Sequence, residues 1–267
     1  MKSRTILILA TVFTFTATGT VSADLSNGLV AQYSFDGDAK DVTGNGYDGT
    51  VYGASLTTDR FGNANSAYSF DGIDDYITLN NPSDFMFSGS FSVSLWTVVA
   101  SNTSYDPFIW LGGSSIGTPD FTLSKSRSGY VNGRLYAQAI MGSSPPAPWV
   151  TSTATGDEVL NRWIHLVGIV DQSANSLSFY VDDVFQGTTS LGSFDLSSVV
   201  NAGANIGRDT WGWDHHYGLI DDVRIYNRAL TASEVHELNV VPVPSAVILG
   251  GLGLTFSGWM LKRKRMV

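Results

Sequence analysis

With 267 residues, 43% of them hydrophobic, the chain is long enough to bury a full core, and sandwiches of about 200 to 250 residues commonly form one domain. It has no cysteine, so no disulfide staples its loops. Six of its 15 basic residues sit at the two ends (Lys2, Arg4, Lys262, Arg263, Lys264 and Arg265), and the remaining nine against 24 acidic residues leave a body of charge −15, which argues against a nucleic-acid partner and suits divalent cations better.

Residues 1–23 have the three parts of an export signal: a short basic start, an apolar run from Ile6 to Ala17, and Val21-Ser22-Ala23 as a small-residue cleavage site. The mature chain is expected to start at Asp24. From there to about residue 240 the text is short apolar runs punctuated by Gly, Asn, Asp and Ser, the grammar of a β-sandwich. Val30 to Phe35 places Ala31, Tyr33 and Phe35 on one strand face. Residues 66–79 read as two short strands around the turn dipeptide Asp71-Gly72. Ser90 to Ala100 is a longer strand with Phe91, Val93 and Leu95 in register, and Phe108 to Leu111, Phe121 to Ser124 and Gly133 to Ile140 are shorter ones.

Trp163 to Asp171 is apolar on both faces, which predicts a central strand covered on each side. Ser176 to Val181 and Val184 to Thr189 read as a hairpin around Asp182-Asp183, since Asp tolerates the left-handed conformation. Asn205 to Arg208 opens a further edge strand, followed by a loop carrying Trp211, Trp213, Asp214, His215 and His216.

Gly218 to Leu230 then packs a strand, a carboxylate pair and a helix start into thirteen residues. Alternation puts Leu219, Val223 and Ile225 on one face, and Asp221 with them, while Asp222 points to the other. A carboxylate on an apolar face costs several kcal/mol unless a cation, a ring of backbone N–H groups or a metal meets it. Thr231 to Glu234 is a capping box with Leu230 and Val235 as a hydrophobic staple, so a short helix is expected to end near Leu238. After it, Val241-Pro242-Val243-Pro244-Ser245 is a stiff linker, Ala246 to Leu261 an uncharged apolar run, and Lys262 to Arg265 a basic stop. From Val243 that run approaches the roughly 20 residues a membrane-spanning helix needs, with the basic cluster on the cytoplasmic side. It reads either as a permanent anchor or as a sorting tail that is removed.

Several pieces in order resemble the LamG-like jelly roll family, of concanavalin A-like lectin/glucanase architecture. They are Gly28-Leu29-Val30-Ala31-Gln32-Tyr33-Ser34-Phe35-Asp36; Asp41-Val42-Thr43-Gly44-Asn45-Gly46; and Tyr68-Ser69-Phe70-Asp71-Gly72 with Asp75-Tyr76-Ile77. Phe91 to Trp96, Trp163 to Val167, the Tyr180-Val181-Asp182 hairpin and Gly207-Arg208 follow. The resemblance covers about residues 28–238 and implies an all-β jelly-roll sandwich of two antiparallel sheets with one short C-terminal helix, followed here by a separate apolar C-terminal helix. Residues 241–267 resemble a PEP-CTERM sorting signal, with Val243 where the name-giving motif has Glu. That likeness implies an exosortase-type processing enzyme as a partner, contact with the membrane before processing, and delivery to the cell surface, outer envelope or extracellular matrix of a Gram-negative bacterium.

The family resemblance also implies a structural calcium between the first loop and the last strand, where Asp36, Asp41, Asn45, Asp221 and Asp222 offer the oxygen ligands that Ca²⁺ takes. Asp36 to Asp41 is not an EF-hand, because Lys40 and Asp41 stand where a ligand and the turn glycine belong. The alternative is that these aspartates simply make turns. For a glycan or other polysaccharide, Trp211, Trp213 and Tyr217, with Trp149 after Pro145-Pro146-Ala147-Pro148, offer aromatic faces that stack on sugar rings, unless they cap the core instead.

Catalysis fits the sequence poorly. A retaining glycosidase needs two carboxyls about 5 Å apart, but the three glutamates fall at Glu158, in a loop, and at Glu234 and Glu237, on the terminal helix. Gly113-Ser114-Ser115-Ile116-Gly117 matches a nucleophile elbow without the following helix, and adjacent His215 and His216 point apart on an extended chain. The reading is an exported, non-catalytic glycan-binding or adhesion domain, against a structural envelope or matrix component that binds no ligand. A glycoside hydrolase or polysaccharide lyase is the third alternative, for which Asp71 and Asp75 are the acids on offer, although the family's turn already explains both.

Overall fold

Two antiparallel sheets carry the alternation read from the sequence. The computed structural model describes residues 24–101, 105–113, 118–126, 134–140, 149–153 and 156–240. The export segment, the elbow-like serines, the proline run before Trp149 and the apolar tail lie outside the described residues. In chain order the strands are β1 (Leu29–Tyr33), β2 (Gly49–Tyr52), β3 (Ser55–Thr57), β4 (Ala67–Asp71), β5 (Tyr76–Leu79), β6 (Phe91–Val99), β7 (Asp106–Gly113) and β8 (Asp120–Lys125). Then come β9 (Leu135–Ile140), β10 (Trp149–Thr151), β11 (Trp163–Asp171), β12 (Ser176–Val181), β13 (Val184–Ser190), β14 (Ala202–Ile206) and β15 (Tyr217–Tyr226). A one-turn helix α1 (Gly156–Val159) precedes β11, and α2 (Ala232–Asn239) follows β15.

One sheet has the order β13-β12-β11-β6-β15-β4-β3, with β1 also paired to β15; the other has β10-β9-β8-β7-β14-β5-β2. Between them lies one core, built from inward residues such as Ala31, Tyr33, Phe70, Phe91, Val93, Leu95, Phe121, Leu123, Leu166 and Phe179. Gly168, in β11, lies directly under Phe121 and Leu123 of the opposite sheet. A Cβ there would come within 2.8 Å of both Leu123 and Phe121, so only glycine lets those side chains reach the opposite sheet.

Both faces of β11 are covered, as its composition demands. Val167 and Ile169 point away from the main core into a second cluster with Tyr226, Leu230, Val235 and Leu238, against which Leu25 and Leu29 also pack. Helix α2 therefore covers the outer face of the eight-stranded sheet at β11 and the end of β15. Its capping box is complete, with Thr231 accepting from the Glu234 backbone and Glu234 reaching back to the Thr231 N–H, and Arg228 holds Glu234 from outside at 2.7 and 2.9 Å. At the β12–β13 hairpin both Asp182 (φ 48°) and Asp183 (φ 67°) are left-handed, the two-residue turn whose twist matches the flanking strands.

Two expectations need correction. Strand β14 is interior, between β7 and β5, and not an edge; all five of its residues pair with β7, and Asn205 and Ile206 pair with β5 as well, which its short sequence could not reveal. The two short strands read around Asp71-Gly72 are present as β4 and β5, and they lie in different sheets, so this turn crosses the sandwich. In β15, Asp221 does not share a face with Val223 and Ile225. Asp221 pairs with Trp96 but Arg224 pairs with Ser94, so one extra residue is inserted, with Asp222 at φ 47°. This β-bulge reverses the alternation: Ile220, Val223 and Ile225 face the core, whereas Leu219 does not.

Candidate functional site

The bulge decides what meets Asp221. The 58–66 turn is held by Asp59, whose Oδ1 accepts from the Phe61 and Asn63 backbone N–H groups, each at 2.8 Å. That turn lays Arg60 across β15. Arg60 Nη1 donates to Asp221 Oδ2 at 2.8 Å and Nη2 to Asp222 Oδ2 at 2.5 Å. The guanidinium lies 4.3 Å from the Phe61 ring centre and 4.5 Å from that of Trp96, and Trp96 stacks on His165. Burial and the neighbouring Asp222 push the Asp221 carboxyl up to about 8, against the pull of Arg60. His165, buried and hydrogen-bonded to Ser94 through Nε2 at 2.8 Å, is pushed down to about 3 by burial and by Arg224 and Arg60. It is therefore neutral at physiological pH.

The other calcium candidates are engaged elsewhere. Asp41 is buried and accepts from the Gln32, Thr43 and Tyr47 backbone N–H groups and from Thr43 Oγ1. Burial raises its carboxyl, and these donors outweigh burial and hold it below the usual carboxylate range. Asn45 turns its Nδ2 to the Val30 carbonyl at 2.9 Å, and Asp36 is exposed. The structure thus joins Asp221 to Asp222 through Arg60 and does not assemble the five residues into a ligand shell. Among the described residues, the group in which three acidic side chains bring oxygens within 4.8 Å of one another is Asp71, Asp74 and Asp75. There Asp71 Oδ1 caps the Ile73 and Asp74 N–H groups, and Asp75 Oδ2 accepts from the Asp71 N–H.

The aromatic candidates divide. Asp209 is buried and its Oδ1 accepts from Gly212 N at 2.5 Å and Trp213 N at 3.0 Å, while Thr210 Oγ1 fastens the loop to Gly113 O at 2.7 Å. Trp211 packs edge-on against Trp110 of β7 with ring centres 5.2 Å apart. Trp213 lies 5.8 Å beyond Trp211 and is 70% exposed. At the base of this loop Arg208 sits 3.5 Å over the Tyr76 ring, which stacks on Tyr52 at 4.5 Å. Tyr217 is 46% exposed, at the start of β15, its backbone held by Asp106. Trp149 is not part of this group. It stands on the edge strand β10, in a cross-strand row running Trp149, Gln138, Thr122, Trp110, Asn205 and Thr78. Three strand spacings, about 14 Å, separate it from Trp110.

Sequence reasoning missed the polar residues under this surface. On β8, Asp120, Thr122 and Ser124 alternate with Phe121 and Leu123, the pattern of a solvent face, yet all three are buried. Tyr105 donates to Ser124 and receives a hydrogen bond from Tyr136. Among the described residues Asp120 Oδ1 has no hydrogen-bond partner, and burial with the nearby Asp209 pushes its carboxyl up to about 8. At the strand ends Lys125 and Asp106, both fully buried, pair at 2.9 Å, with His216 Nδ1 3.5 Å from Asp106. Burial alone would raise the Asp106 carboxyl; His216 and Lys125 turn the shift downward. Alternation marks which face a side chain takes but not whether a loop folds over it.

Residues 71–236, more than half of the chain, match the family model described as the concanavalin A-like lectin/glucanases superfamily. A solved structure of domain 4 of AbnA, a GH43 extracellular arabinanase from Geobacillus stearothermophilus, in complex with arabinotriose, is 26% identical with a TM-score of 0.62, over 79% of this chain and 98% of that one. The binding domain of Paraclostridial Mosquitocidal Protein 1 is 17% identical with a TM-score of 0.59, over 79% of this chain and 52% of that one, a likeness of fold. Mouse (Mus musculus) usherin is 29% identical over 107 residues, 39% of this chain and 2% of usherin's own length.

Proposed function

We propose, from the premise that the chain belongs to the concanavalin A-like lectin/glucanases superfamily, that it is an exported, non-catalytic glycan-binding or adhesion protein of the cell surface, outer envelope or extracellular matrix. The observation that carries this reading is Trp213, a large exposed ring on a loop that Asp209, Thr210 and Trp211 hold rigid. A ring fixed before the ligand arrives loses little conformational freedom on stacking against a sugar face. Arg208, whose guanidinium approaches Gly212 in the same loop, supplies hydrogen-bond donors. The arabinotriose in the related arabinanase domain supports an oligosaccharide as the ligand class.

The same architecture appears beside an arabinanase, so the non-catalytic part of the proposal rests on where the acids stand. Glu234 is consumed by its capping box and Arg228, and Asp209 by its own loop. Titration calorimetry with arabino-oligosaccharides and a glycan array tests binding. Trp213→Ala should weaken the best ligand about tenfold, the value of one stacked ring; absence of any binding by the wild type favours a structural matrix component, and new reducing ends during incubation with polysaccharide would establish catalysis. Export after residue 23 and processing by an exosortase-type enzyme within 241–267 belong to the same proposal, tested by mass spectrometry of both mature termini.

A further inference from the structure

We infer that Arg60 takes the place of a divalent cation at the acidic pair of the closing strand, so that this domain fastens its last strand without a metal there. The family resemblance points to a calcium between the first loop and β15; the residues present do not fit one. Of the four carboxylate oxygens, Asp221 Oδ1 accepts from the Asp222 N–H at 2.7 Å. Asp221 Oδ2 and Asp222 Oδ2 each hold one end of the Arg60 fork. Asp222 Oδ1 faces Arg224 Nη2 at 3.8 Å. A dication would therefore enter beside two guanidinium groups and displace a bridge that is already formed, at a position where the Arg60 and Asp221 side chains are only 11% and 4% exposed. Like charges brought that close in a poorly solvated site repel strongly.

The guanidinium is also held in a way a metal is not. It lies between the Phe61 and Trp96 rings, and a planar, weakly hydrated cation is the one suited to that slot. Asp59 fixes the turn that delivers it, and the bridge joins residues 161 positions apart. In a chain without cysteine this is a staple between an early turn and the closing strand. The inference is independent of the glycan-binding reading.

Thermal unfolding of the domain with excess chelator and with millimolar calcium tests it. The wild type should melt at the same temperature in both. Arg60→Met, which keeps the aliphatic stem and removes the charge, should lower the melting temperature on the order of 5–10 °C, and calcium, but not sodium at equal ionic strength, should restore part of that loss. Arg60→Lys, which keeps a charge but not the fork, should fall between the two and remain folded for comparison. The inference is overturned by a chelator-induced drop in the wild type that Asp221→Asn abolishes, or by Arg60→Met melting like the wild type. A chelator effect that survives Asp221→Asn places the cation elsewhere and supports it.

Discussion

Two surface turns in this molecule use the same device for opposite ends. In each, one aspartate carboxylate gathers backbone N–H groups and so aims the side chains beside it: Asp59 for the turn bearing Arg60, Asp209 for the loop bearing Trp211 and Trp213. The first turn ends in a closed contact, with its guanidinium spent on two carboxylates and two rings. The second ends in an open one, with Trp211 spent on Trp110 and Trp213 left to the solvent. An Asp-capped turn is thus indifferent to function; what distinguishes closure from display is whether the far surface already offers a partner.

Beneath each turn lies a buried carboxyl pushed up to about 8, Asp221 under the first and Asp120 under the second. Asp221 has Arg60, whereas among the described residues Asp120 Oδ1 has no partner, so the largest expected effect separates them by pH. A carboxyl whose folded value is raised binds a proton that the unfolded chain has released. Its contribution to stability is whole below about pH 4 and is lost as pH rises through about 8. For Asp120, stability should therefore fall between pH 4.5 and 8.5, with a slope of up to about 1.4 kcal/mol per pH unit. In urea titrations across that range, Asp120→Asn should remove one proton's share of the slope and raise stability at pH 8; an unchanged slope would show Asp120 to be ionised and hydrated.

Smaller effects break the two turns themselves. Asp209→Ala leaves the Gly212 and Trp213 N–H groups without their acceptor inside a buried loop base, which should cost about 2 kcal/mol and reduce glycan affinity as Trp213 loses its fixed pose, read by calorimetry on the same sample. Asp59→Ala, in a more exposed turn, should cost about 1 kcal/mol with glycan affinity unchanged. The smallest is Trp213→Ala, expected within about 0.5 kcal/mol of wild-type stability while affinity drops. If Trp213→Ala instead destabilises by more than about 2 kcal/mol, the ring is part of the packing and the display reading fails.

The sandwich was legible because burial on one face of a strand leaves a period of two, which Phe91, Val93 and Leu95 keep without interruption. The α2 start was legible because its capping box is local. Strands β2, β3 and β10, of three or four residues, are too short for a period to form, and the bulge at Asp221-Asp222 hides inside one by shifting it a single place. The partner of Asp221 could be described from the sequence as a cation, a set of N–H groups or a metal. Choosing among them required knowing that a turn 161 residues earlier folds onto β15, a fact with no local signature. Likewise Trp211 and Trp213 look alike in sequence, and only the place of Trp110 separates the anchored ring from the free one.

Strand β15 has one consequence for force. Its ten residues span about 30 Å, with the tryptophan loop entering at Tyr217 and α2 leaving after Tyr226, where Arg228 also ties down the segment from Asp24 through the Asn27 carbonyl. A pull applied between Tyr217 and Tyr226 runs along β15, alongside its neighbours β6, β4 and β1. Loaded that way, the ladder hydrogen bonds on both sides of the strand resist together in shear and do not open one at a time.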